Sequence, residues 1–164
     1  MIYKIRIILD AEEDIFRDIE IEDSSTLEEF HNSITQAFGF GGSEMASFYT
    51  CDEEWNQDEE IALFDMSETG SDVRLMNETN LDDVLTEQNP KMIYVYDFFS
   101  MWTFFVELAD LTEKEDNRSY PNVLFSFGEL PDSPPEKKFE SKPSNDFVDS
   151  FDNYDDLDFD ENWN

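Results

Sequence analysis

Along the start of the chain, Tyr3, Ile5, Ile7 and Leu9 alternate with Lys4, Arg6 and Ile8. That two-residue period is the mark of a half-buried strand. The pattern returns in "IFRDIEIE", with Ile15, Arg17, Ile19 and Ile21 on one face and Phe16, Asp18, Glu20 and Glu22 on the other. The intervening "DAEED" reads as a turn, so the two runs predict a hairpin that sets Lys4 and Arg6 among the acids of the second strand. The period then lengthens. Leu27, Phe30, Ile34, Ala37 and Phe38 fall at helical spacing. Ser25 followed by Glu28 has the spacing of a capping box, and Gly39 supplies a C-terminal stop.

Beyond that helix, "SFYTC", "IALF" and "MIYVYDF" are short runs of strand-favouring residues, and "MWTFFVEL" follows the last after a tight connection at Phe99 and Ser100. The spacing predicts a second hairpin there. "NLDDVLTEQNP" reads as a short helix capped by Asn80, with Leu81, Val84 and Leu85 facing inward. Both faces of the last strand are largely apolar: Trp102, Phe104, Val106 and Leu108 on one, and Met101, Thr103, Phe105 and Glu107 on the other. A patch of that size needs a cover: either the strand is central and covered on both sides, or "VLFSF" wraps over one face, and the second is the expected arrangement.

Summed, the elements predict an α+β domain, a mixed β-sheet of two hairpins plus short strands with one main helix and a short helix packed on one face. After Leu111 the periodicity decays, and residues 112–145 hold five of the six prolines. The expected organisation is a core at 1–112, an extended wrap at 113–143, and a disordered tail at 144–164, where eight Asp or Glu occur with no Lys or Arg.

Charge changes this picture more than length does. The chain of 164 residues has 42 Asp+Glu against 10 Lys+Arg, a formal charge of −32, yet 15% of it is aromatic. A folded core must therefore coexist with a surface that repels phosphates and acidic lipid headgroups, over about 8 Å at physiological salt. Direct nucleic-acid binding and membrane association are disfavoured, and a basic protein partner is favoured. No apolar run approaches the roughly 20 residues of a membrane span. A single cysteine, Cys51, allows no internal disulfide, which suits a reducing, cytoplasmic setting.

Candidate chemistry is sparse. His31 is the only histidine, and its helical position beside the apolar stripe suggests a partly buried residue rather than a general base. Cys51 sits among acids that disfavour a thiolate. "FGFGG", residues 38–42, follows a helix rather than opening one, so it reads as a stop and not a phosphate loop. "DEEWNQDEE", residues 52–60, reads as a solvated acidic loop, without the spacing or glycine of a calcium loop. No catalytic, cofactor or metal residues are selected.

Several of these stretches are familiar. "YKIRIIL", "TLEEFHNSITQAFGF", "MASFYT" and above all "MIYVYDFFSMWTFFVEL" resemble the plasmid pRiA4b ORF-3-like family, also known as passenger proteins of an insertion element. The resemblance spans residues 1–136. Tyr96, Asp97, Phe98, Trp102, Val106 and Leu108 match its most specific stretch, and Pro121 with Pro134, Pro135 and Glu136 echoes its tail. Phe99, Ser100 and Phe104 stand where the family pattern has Gly, Asp and His. Those replacements remove the polar residues most able to carry chemistry. The resemblance implies an α+β fold and a mobile-element neighbourhood, and it names no reaction.

The sequence thus points to a non-catalytic, acidic protein-interaction module. In the tail, Phe147, Phe151, Tyr154 and Leu157 recur three or four apart, followed by Phe159 and Trp163. The tail is either simply solvated or a docking segment, and in the second case an induced helix would present them to a basic-rimmed groove of a partner. The alternatives are a nucleic-acid mimic that inhibits a DNA-binding protein, which needs carboxylates at regular separation, and a divalent-metal-dependent hydrolase. Oligomeric state stays open.

Overall fold

The computed structural model describes residues 1–64 and 74–134. These form one eight-stranded sheet with its helices on a single face. In chain order the elements are β1 (Ile2–Leu9), β2 (Phe16–Glu22), α1 (Leu27–Phe38), β3 (Ala46–Cys51), β4 (Gln57–Ala62), β5 (Arg74–Leu75), α2 (Leu81–Val84), β6 (Lys91–Tyr96), β7 (Trp102–Thr112) and β8 (Asn122–Phe127). The spatial order is β5-β4-β3-β6-β7-β1-β2-β8. Every pairing is antiparallel except β4 with β5.

The first hairpin has the expected faces. Lys4 lies across from Glu20 and Arg6 across from Asp18. Arg6 makes a two-pronged bond to Asp18 at 2.8 and 2.9 Å, the geometry in which a planar guanidinium and a carboxylate match best.

The capping box of α1 lies one residue later than the spacing suggests. Thr26, not Ser25, is the cap: its hydroxyl accepts from the Glu29 amide at 3.2 Å, and the Thr26 amide donates to Glu29 at 2.8 Å. The shift follows from the apolar stripe, because Leu27 must be the first helical residue to be fully buried. Gly39 ends the helix at φ 85°, and its amide donates to Thr35 O at 2.9 Å. That left-handed conformation strains any residue with a Cβ.

Helix and sheet meet through aromatic rings. Phe30 stacks on Phe48 at 5.4 Å, and Phe38 lies 4.7 Å from Phe104. With Leu27, Ile34, Ile5 and Ile7 fully buried, each such side chain contributes about 1.5–3 kcal/mol of burial.

Arg17 occupies the same buried face and is accommodated without a carboxylate. It donates to the carbonyls of Ala37 at 3.1 Å, Phe16 at 2.9 Å and Phe127 at 3.1 Å, with its guanidinium 4.8 Å above the Phe38 ring. It thereby supplies the cation that the last turn of α1 lacks in its own sequence.

Two expectations about the strands need correction. β7 lies in the middle of the sheet between β6 and β1, and the extended "VLFSF" segment is β8, paired edge-on with β2 rather than laid over β7. Main-chain pairing with an open edge satisfies backbone donors and acceptors that a side-chain cover would leave bare. Second, Gln57–Glu60 of the acidic stretch belongs to β4 rather than to a loop. Those acids are tolerated because β4 lies near the sheet margin and keeps them in solvent, with Glu59 3.0 Å from Arg74 and Glu60 2.7 Å from the Ser47 hydroxyl.

Candidate functional site

At the end of the sheet where β6 turns into β7, apolar side chains point into solvent. Asp97 starts the turn at φ 62° and Met101 ends it at φ 61°. The Asp97 amide donates to Met45 O at 2.7 Å, and its carboxylate accepts from the amides of Phe99 at 3.1 Å and Ser100 at 3.4 Å. Asp suits this place because its short side chain bonds its own backbone two residues on and tolerates the left-handed region.

Behind the turn, Phe40 stacks on Tyr96 at 4.4 Å and meets Trp102 edge-on at 5.2 Å, while the Tyr96 hydroxyl accepts from the Gly42 amide at 3.1 Å. The support is therefore fixed, and what it displays is Phe99, 98% exposed, flanked by half-exposed Phe98 and Met101. Half-exposed Phe64 leaves the adjacent end of β4, where Leu63 N bonds to Ala46 O.

Acids surround this tip. The β1–β2 connection carries Asp10, Glu12, Glu13 and Asp14, and it runs alongside because the Asp10 amide donates to Thr103 O at 2.9 Å. Exposed Glu44 stands next to Met45. Among the described residues the cations lie elsewhere or are engaged: Arg17 with carbonyls, Arg74 with Glu59, and Lys114 with Glu22 at the opposite end.

His31 is fully buried, not partly: its Nδ1 and the Tyr94 hydroxyl share a hydrogen bond of 2.6 Å. Burial pushes the imidazole down to about 4 and the Tyr94 hydroxyl well up, so both are neutral near pH 7 and shut off from solvent. Burial, then Asp52, raises the Cys51 thiol against a smaller opposing pull from Lys91. Asp52 organises the β3–β4 turn, accepting from the Glu54 and Asn56 amides and from Asn56 Nδ2, each at 2.9 Å. Among the described residues, no group of three or more His, Cys, Asp or Glu is arranged for a metal ion. An open cavity of about 250 Å³ between α1 and β8 is lined by Ile19, Ser33, Gln36, Ala37, Pro121, Asn122 and Val123. It holds no ionisable side chain.

A family model described as "Plasmid pRiA4b ORF-3-like protein" matches residues 1–139. The chain belongs to this family. The crystal structure of a protein of unknown function, MM3350 from Methanosarcina mazei Go1, superposes with a TM-score of 0.67 at 18% identity, over 76% of this chain and 68% of that one. At that identity the two share a fold. No curated protein matches the chain. No helix among the described residues is long and apolar enough to cross a membrane.

Of the residues singled out from sequence, Phe147, Phe151, Tyr154, Leu157, Phe159 and Trp163 lie outside the described residues, as do Pro135 and Glu136. The exposed tip was missed as a site. Its signal lies in "DFFSM", where aromatic residues fill a tight turn that ordinarily takes Gly, Asn or Ser.

Proposed function

We propose that the protein is a non-catalytic interaction module whose acid-rimmed aromatic tip docks a cationic, apolar segment of a partner protein. The observation that carries this reading is Phe99, almost wholly exposed on a rigid turn. An aromatic ring in that position loses little conformational freedom on binding and buries a large area. The surrounding carboxylates attract a basic partner and speed encounter without supplying most of the affinity. The segment with Phe147, Phe151, Tyr154, Leu157, Phe159 and Trp163 is proposed as a second attachment point of the same charge and ring chemistry.

The test is a fluorescence-anisotropy titration of the full chain with a synthetic amphipathic Lys/Leu peptide, and with the same peptide carrying Gln for Lys. Binding of the Lys peptide that weakens with added salt, and falls at least about tenfold in Phe99→Ser, is expected. No binding, or equal binding by the Phe99→Ser protein, overturns the reading.

A further inference from the structure

β8 ends the sheet with a weakly guarded edge. Asn122–Phe127 pairs with β2 on one side, and among the described residues no strand lies on the other. Edge strands expose a row of unpaired backbone donors and acceptors, which monomeric proteins block with charges, prolines, bulges or shortness. The opposite edge, β5, is two residues long. β8 is six residues long, "NVLFSF", with no charge and no proline in a chain that is 32% charged. Val123, Leu124, Phe125 and Phe127 are each close to half exposed. Its one guard is the bulge at Leu124, between the partners of Asp18 and Ile19, and it leaves Phe125–Phe127 in regular register with Phe16–Asp18.

We infer that β8 is a self-association edge, at which two copies of the chain pair antiparallel about a two-fold axis through Ser126 and join their sheets. The register follows from the pleat. Residues opposite one another point to the same face, so an axis at Ser126 sets Phe125 of each copy across from Phe127 of the other. This extends a row of rings that exists within one copy, where Phe16 lies 5.9 Å from Phe125 and 5.5 Å from Phe127.

The make-up of β8 selects a second copy as the occupant: without charge it offers a basic partner nothing to pair with, while about Ser126 its rings match their own copies. Two molecules of formal charge −32 associate only through a surface that sets no carboxylates opposite each other, and the uncharged β8 is such a surface. Antiparallel pairing also brings the end of β8 near Arg118 toward Glu129 and Asp132 of the second copy. Because repulsion between the remaining acids opposes association, added salt tightens this contact. Salt has the reverse effect on the cationic docking proposed above, so the two readings fail independently.

Sedimentation of the full chain at about 100 µM tests it, with a dimer expected whose dissociation constant falls severalfold from low to high salt. Phe125→Lys with Phe127→Lys, checked by circular dichroism to be folded, raises that constant at least about tenfold. Ser126→Cys in a Cys51→Ser background, under mild oxidant, crosslinks into dimers, whereas Glu78→Cys near the far edge does not. A wild-type chain that stays monomeric at every salt concentration, or crosslinking at position 126 no faster than at position 78, overturns the proposal. Should the double-lysine variant unfold, the crosslinking comparison decides alone.

Discussion

His31 Nδ1 and the Tyr94 hydroxyl lie 2.6 Å apart, joining α1 to β6 inside the buried layer between helix and sheet. Burial holds the imidazole down at about 4, against an ordinary value of 6.5. With its folded value below the unfolded one, the unfolded chain takes up the proton first. The stability from this residue is whole above about pH 6.5 and is lost as pH falls toward 4, reaching about 3 kcal/mol. Urea unfolding at pH 7.5, 5.5 and 4.5 checks this, because His31→Gln removes that part of the pH slope while every carboxylate stays. Tyr94→Phe, which leaves the ring nitrogen without its partner, costs about 1–3 kcal/mol at pH 7.5.

Arg17 gives a second prediction. Substituting Arg17→Met keeps an apolar stem over Phe38 but strands the carbonyls of Ala37 and Phe127. Relief of a buried cation partly offsets the loss, so a net cost of about 2 kcal/mol is expected. Hydrogen exchange should quicken first at the β8 amides, since this one side chain binds α1, β2 and β8 together.

Glu20 is 1% exposed, with Arg118 at 3.1 Å and Lys4 at 4.0 Å, while its Oε1 has no hydrogen-bond partner among the described residues. Removing the nearer cation with Arg118→Ala leaves a buried carboxylate poorly compensated, at a cost of about 3 kcal/mol. The double variant Arg118→Ala/Glu20→Gln should recover part of that in chemical unfolding, because the stranded charge is gone.

The tip separates display from support. Phe99→Ser should alter unfolding free energy by no more than about 0.5 kcal/mol, since the ring touches little. Asp97→Ala loses two turn hydrogen bonds and places a Cβ residue at φ 62° without local compensation, costing about 1–2 kcal/mol. Paired thermal melts of the two variants distinguish these outcomes.

Much of the core was legible in the sequence because period and burial coincide there. Tyr3, Ile5, Ile7 and Leu9 alternate cleanly, and Leu27, Phe30 and Ile34 mark the helix. The Gln57–Glu60 strand was not legible, because an exposed marginal strand carries no apolar alternation and is defined by pairing with β3. The place of β8 was hidden for a similar reason: "VLFSF" announces extension, but only the free edge of β2 decides where it goes. His31 could be placed near the stripe, yet the hydroxyl that lets it be buried lies 63 residues away on β6. The tip looked like an ordinary connection, since exposure depends on what surrounds a turn.

The seam between β7 and β1 has a kinetic consequence. Ile2–Leu9 is synthesised with its hairpin mate at hand, but its other neighbour, Trp102–Thr112, leaves the ribosome about a hundred residues later. At about 5–20 residues per second that interval is roughly 5–20 s. Through it the nascent hairpin holds one flank bare, so strand-capturing chaperones should engage this chain early and release it once the second half has emerged.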